Sequence, residues 1–219
     1  MKIHLQRELE HLKKQLFHVS SLVEQSLKQA IRAVEASDSN LAAQVKARDD
    51  EIDNLEVAVE EECLKILALH QPVAVDLRFL IAVLKANNDL ERIGDLAVNI
   101  ASGRNCMGGE SMSPAFSEAL LVMCEKAQTM LRHALESLME LDADKARSVL
   151  KADDAVDARY HEIVGMLREE MSRRPAESEK MICWLLVAKN IERVADQATN
   201  IAEDTIYTVE GAIIRHGKA

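Results

Sequence analysis

Glu91 and Asp95 stand four residues apart in the stretch NNDLERIGDLAVNIA, residues 87–101, and Asn99 follows one turn later. In a helix this spacing rotates each side chain only about 40° from the last, so all three share a face. Carboxylates stacked in this way repel by about 0.2–0.5 kcal/mol per pair. The pattern recurs 101 positions on, in KNIERVADQATNIAE, where Glu192, Asp196 and Asn200 keep the same register. Two further pairs, Asp49 with Asp53 and Asp153 with Asp157, have the same spacing. Glu56 and Glu60 prolong the stripe of Asp49 and Asp53, whereas Tyr160 and Val164 take their places after Asp157. His161 and Glu203 are partial substitutes there, so the two constellations are similar but unequal.

The chemistry open to such stripes is cation binding. Acidic faces on two neighbouring helices supply hard oxygen ligands to Mg²⁺, Mn²⁺, Ca²⁺ or iron, and Asn99 and Asn200 add neutral carbonyl donors. The competing reading is a solvated acidic face balanced by Arg92 and Arg193, each three residues before an aspartate of its stripe. Other chemistries lack their residues. Paired Glu-x-x-His motifs of a carboxylate-bridged di-iron bundle are missing, since positions 94 and 195 are Gly and Ala and only Glu8 to His11 has that spacing. No GxxxxGK loop, GxGxxG turn, GxSxG elbow or HExxH pair occurs, and nothing points to an enzyme.

The elements that position these stripes are written twice. Leu16, Val23, Leu27, Ala30 and Val34 form one apolar helix stripe, and Leu120, Ala127, Leu131, Ala134 and Leu138 repeat it at an offset of 104. Asp38 and Asp142 follow as N-caps for second helices, which run to breaks at Pro72 and Pro175. In the third helix Phe79, Val83, Ala86, Leu90, Ile93, Ala97 and Ile100 define the core face, and Trp184 falls in its counterpart. Glu91 and Asp95 therefore look outward. GRNCMGGESMSP separates the repeats, a linker at about 103–114 between units 1–107 and 108–219, and the tail IIRHGKA reads as a frayed end. The expected fold is all-α: two tandem three-helix bundles made of six long antiparallel helices, each about 45 Å long.

Composition agrees. Apolar residues at 48% supply a core, while 3% aromatics and few Gly and Pro disfavour β architecture. A formal charge of -10 repels phosphate backbones and anionic membranes, which argues against direct nucleic-acid binding. The longest uncharged apolar runs, FLIAVL and MICWLLVA, are too short to span a bilayer, and the charged N-terminus lacks a signal core, so a cytoplasmic protein is expected. Cys63, Cys106, Cys124 and Cys183 lack CxxC spacing and read as reduced apolar fillers.

The chain resembles the PhoU family of regulators of bacterial phosphate uptake. The resemblance covers nearly all of it and is carried by QPVAVDLRFLIAVLKANNDLERIGDLAVNIA, residues 71–101, and VAKNIERVADQATNIAEDTIYTVEG, residues 187–211. It implies paired three-helix bundles that hold metal on motifs of an acidic residue, three intervening residues and Asp. These motifs are matched by Asp49 with Asp53, Glu91 with Asp95, Asp153 with Asp157, and Glu192 with Asp196. Ala195 and Gln197 depart from the Gly and His frequent in the second motif. Iron, zinc, manganese, magnesium and calcium are the candidate metals.

The function implied by the resemblance is that of a cytoplasmic negative regulator. Such an adaptor would join the ATPase subunit of a phosphate ABC transporter to a phosphate-sensing histidine kinase. It would reach the membrane only through these partners, and a homodimer is expected. The alternatives are an accessory of a different phosphate transporter and a carboxylate-bridged metal enzyme on a helical bundle.

Overall fold

The computed structural model describes residues 2–103 and 113–211. Six α-helices account for most of them: α1 (Lys2–Glu35), α2 (Ser39–His70), α3 (Ala74–Ser102), α4 (Pro114–Glu140), α5 (Ala143–Arg173) and α6 (Ser178–Glu210). A 3₁₀ turn, Pro175–Glu177, precedes α6. No strand occurs among the described residues, so the all-α expectation holds. The linker residues 104–112 and the whole of the IIRHGKA tail, expected to fray, lie outside the described residues.

The helix boundaries follow their caps. The Asp38 carboxylate accepts the backbone N–H groups of Asn40 and Leu41 at 2.8 and 3.2 Å. Asp142 repeats this on Asp144 and Lys145 at 3.0 and 2.9 Å, satisfying N–H groups that the first helical turn leaves without partners. α2 and α5 stop just before Pro72 and Pro175, where a ring without an N–H cannot continue the ladder. Pro114, read from sequence as linker, is the first residue of α4. There its fixed φ suits the helix, and Ser113 caps the end by accepting from Phe116 N–H.

Within each half the three helices pack on one another, α1 with α2 and α3, and α4 with α5 and α6. Every residue of the two apolar stripes on α1 and α4 is buried, as are all seven of the stripe on α3. Trp184 is 4% exposed and meets Phe116 edge to face at 5.2 Å, an arrangement that aligns the ring quadrupoles.

The halves are joined through α3 and α6, which pack on each other as extensively as on their own bundle partners. This gives α3 a second buried side, with Asp89 and Leu96 on it, that a single-stripe reading misses; Asn87 lies on the opposite arc, where its amide donates to the Glu56 carbonyl of α2 at 2.8 Å. The pair runs antiparallel and is clamped by polar contacts. Lys85 Nζ meets Asp204 at 3.1 Å, and Arg78 Nε donates to the Thr208 carbonyl at 2.9 Å. The core is continuous across both halves.

Two of the four cysteines behave as expected. Cys63 and Cys124 are buried free thiols, and burial pushes both up to about 12, which keeps them unreactive. Cys183 corrects the sequence reading: it is disulfide-bonded. Pairing depends on proximity in space, which sequence spacing does not report. Cys106 lies outside the described residues.

Candidate metal centre

The first acidic face is built by α2 and α3 side by side. Asp49, Asp53, Glu56 and Glu60 come from α2, and Glu91, Asp95 and Asn99 come from α3. Each carboxylate lies on the flank of its helix away from the core, so Asp53, Asp95 and Asn99 are exposed and Asp49, Glu56 and Glu91 half-buried. Partial burial raises the pKa of Asp49 to about 6. The neighbouring charges of Asp53, Asp95 and Glu91 push in the same direction. Asp53, Glu56 and Glu91 are raised for the same two reasons, desolvation first and like charge second. The carboxylates of the two helices thus act on one another across the groove, which makes them one electrostatic unit.

Gly94 sets how closely that unit is assembled. A Cβ at this position would stand 3.0 Å from Asp49 Oδ1 and 3.5 Å from the Ile52 side chain. The missing side chain therefore lets the Asp49 carboxylate lie against the backbone of α3. In the second half Ala195, fully buried, carries the methyl that Gly94 lacks.

The second face is formed by α5 and α6. Asp153 is raised to about 6 by burial and then by Asp157, Asp196 and Glu192, mirroring Asp49. Asp196 is also raised by burial and by Glu192, with Lys189 and Arg193 opposing. Glu203 and Asn200 of α6 line an open groove of about 520 Å³ beside Lys85, Asn88 and Arg92 of α3. That places Asn200 on the side of α6 nearer the other bundle. His161 is exposed, and its Nδ1 lies 2.7 Å from the Asp157 carbonyl. Among the described residues no ion pair joins Arg92 to Asp95 or Arg193 to Asp196, although the charges of Arg92 and Arg193 partly offset the rise of Glu91 and Asp196.

Lys189 was not singled out from the sequence. Its ammonium pairs with Glu192 and stands 5.4 Å from the ring centroid of Tyr160. The signal available was a cation three residues before Glu192 where the first repeat has Asn88.

The donor set tests what these faces would hold. Carboxylate and amide oxygens dominate both, and no cysteine belongs to either, which fits a hard, oxygen-preferring cation. Among the described residues no three of these side chains close to the spacing of a formed centre, as mutual repulsion dictates. Two half-buried aspartates, Asp49 on the first face and Asp153 on the second, nevertheless have their charged forms disfavoured, the state that a bound cation relieves.

Fold and site together define a double three-helix bundle with one acidic face per half. A PhoU domain model matches residues 16–103 and 120–205, one match to each bundle. A PhoU homolog of Pseudomonas aeruginosa, described as a phosphate-specific transport system accessory protein, is 36% identical over 209 residues, 95% of this chain and 86% of that protein. The PhoU protein of Escherichia coli, with the same description, is 34% identical over 213 residues, 95% of this chain and 86% of the relative. The crystal structure of PhoU from Pseudomonas aeruginosa superposes with a TM-score of 0.87 at 36% identity, covering 94% of this chain and 99% of that one. A phosphate transport system regulatory protein PhoU from Streptococcus pneumoniae gives the same TM-score at 27% identity, with 95% and 98% covered. The chain belongs to the PhoU family.

Proposed function

We propose that this chain is an accessory regulator of phosphate transport that binds cations on its two acidic faces and works as an adaptor. The observation that carries the reading is the doubled acidic face, set at equivalent positions of both bundles in a chain of the PhoU family. Naming of the relatives as transport accessory proteins supports the transport assignment. Among the described residues no helix is long and apolar enough to cross a membrane. The proposed contact with a transporter is with its ATPase subunit.

In this reading Asp49, Asp53, Glu91 and Asp95 hold a cation on one face, and Asp153, Asp157, Glu192 and Asp196 on the other. A bound divalent ion would supply the positive charge that stops the carboxylates repelling. α2 would then be tied to α3, and α5 to α6, stiffening the surface offered to partners. The second partner is a phosphate-sensing histidine kinase, held in its non-signalling state when phosphate is plentiful; the assembly acts as a homodimer. Acidic charge suits protein partners over nucleic acid.

Affinity capture of the full chain from phosphate-replete cells tests the adaptor. Recovery of both the transporter ATPase and the kinase is expected. Recovery of neither would overturn it, and recovery of a different transporter's subunits alone would favour the alternative accessory role.

A further inference from the structure

The two acidic faces differ by a coordinated exchange of two residues. In the first half position 56 is Glu and position 88 is Asn; the equivalent positions of the second half are Tyr160 and Lys189. The exchange brings in a cation together with its support. Lys189 reaches across from α6 so that its ammonium sits over the Tyr160 ring of α5, 5.4 Å from the centroid, while pairing with Glu192 on its own helix. Glu192 is the more enclosed partner, with a side chain 14% exposed. Its Oε2 is buried and has no hydrogen bond of regular geometry among the described residues, so the ammonium is what answers its charge. Position 164, where the first half has Glu60, is Val. The first face therefore presents six carboxylates, and the second four carboxylates plus one ammonium.

An ammonium placed there competes for the same oxygens as a metal ion. It is covalently tethered, so its local concentration is fixed by the helix, and the ring beneath it favours a monovalent organic cation over bulk water. A metal entering the second face has to displace Lys189 from Glu192 and then accept its positive charge nearby. We propose that Lys189, seated on Tyr160, is a built-in cation that weakens metal binding at the second face, so that the first face loads before the second. This rests on the reading of both faces as cation sites.

Mn²⁺ titration of the full chain, with free Mn²⁺ followed by electron paramagnetic resonance, tests the inference. In a background carrying Asp49→Asn, Asp53→Asn, Glu91→Gln and Asp95→Asn, which removes the four proposed ligands of the first face, Lys189→Asn is expected to tighten Mn²⁺ binding about tenfold. Lys189→Arg, which keeps the charge, is expected to leave it weak. The reciprocal Asn88→Lys in the otherwise native chain is expected to loosen the first face. Unchanged second-face affinity in Lys189→Asn, or equal tightening by Lys189→Arg, would overturn the proposal while Mn²⁺ on the first face still supports the metal reading. Native chain that takes up no Mn²⁺ at either face would sink both.

Discussion

At the scale of single residues, Asp49 and Asp153 concentrate the electrostatic cost of the site. Each has a folded pKa of about 6 against 3.8 for the free side chain, raised first by burial and then by neighbouring carboxylates. Between those two values the folded chain binds more protons than the unfolded chain, so their contribution to stability falls as pH rises through that window and stays low above it. In the presence of a chelator, the urea midpoint should therefore drop between about pH 4 and pH 6, and Asp49→Asn with Asp153→Asn should flatten that drop. A double variant with the same pH dependence as the native chain would remove this account of the faces. The spacing of the acids was legible in sequence because i, i+4 geometry is local. The convergence of the α2 and α3 stripes was expected from sequence too, but how closely Asp49 lies against α3 was not, because Gly94 sets it. Lys189 was likewise missed, since a lysine on a helix surface acquires its meaning only when Tyr160 of another helix lies beneath it.

At the scale of the helices, periodicity and punctuation carried most of the architecture. Asp38, Asp142, Pro72 and Pro175 marked ends that the hydrogen bonds bear out, because capping and the missing proline N–H act within a few residues. The apolar stripe of α3 was equally plain. Its second buried side was not, since a helical wheel shows which arc is apolar and not how many neighbours the helix has. Asp89 is charged, yet buried where α3 meets α6. Trp184 anchors the corresponding region of α6 against Phe116 at the start of α4. Trp184→Ala is expected to destabilise the chain by about 3–5 kcal/mol through lost burial and a cavity, measured by chemical denaturation. A loss below about 1 kcal/mol would mean that the α4–α6 contact is not the packing anchor described here.

At the scale of the whole molecule, the duplication is what gives one chain two acidic faces. Pairing of α3 with α6 through Lys85 and Asp204, and Arg78 and Thr208, fuses the bundles into one core, so the faces are held at fixed positions relative to each other. Sequence repetition revealed the two units because each repeats the same stripes. The contact between the units has no such repeat and became visible only in the folded chain. Fixed geometry is what the proposed adaptor role would require, and cation occupancy of the two faces is the claim on which the account turns. The direct measurement is elemental analysis of the purified chain beside a variant carrying Glu91→Gln, Asp95→Asn, Glu192→Gln and Asp196→Asn. Bound metal in the native chain and its loss in the variant is the predicted result; equal metal content in the two, or none in the native chain, would contradict it.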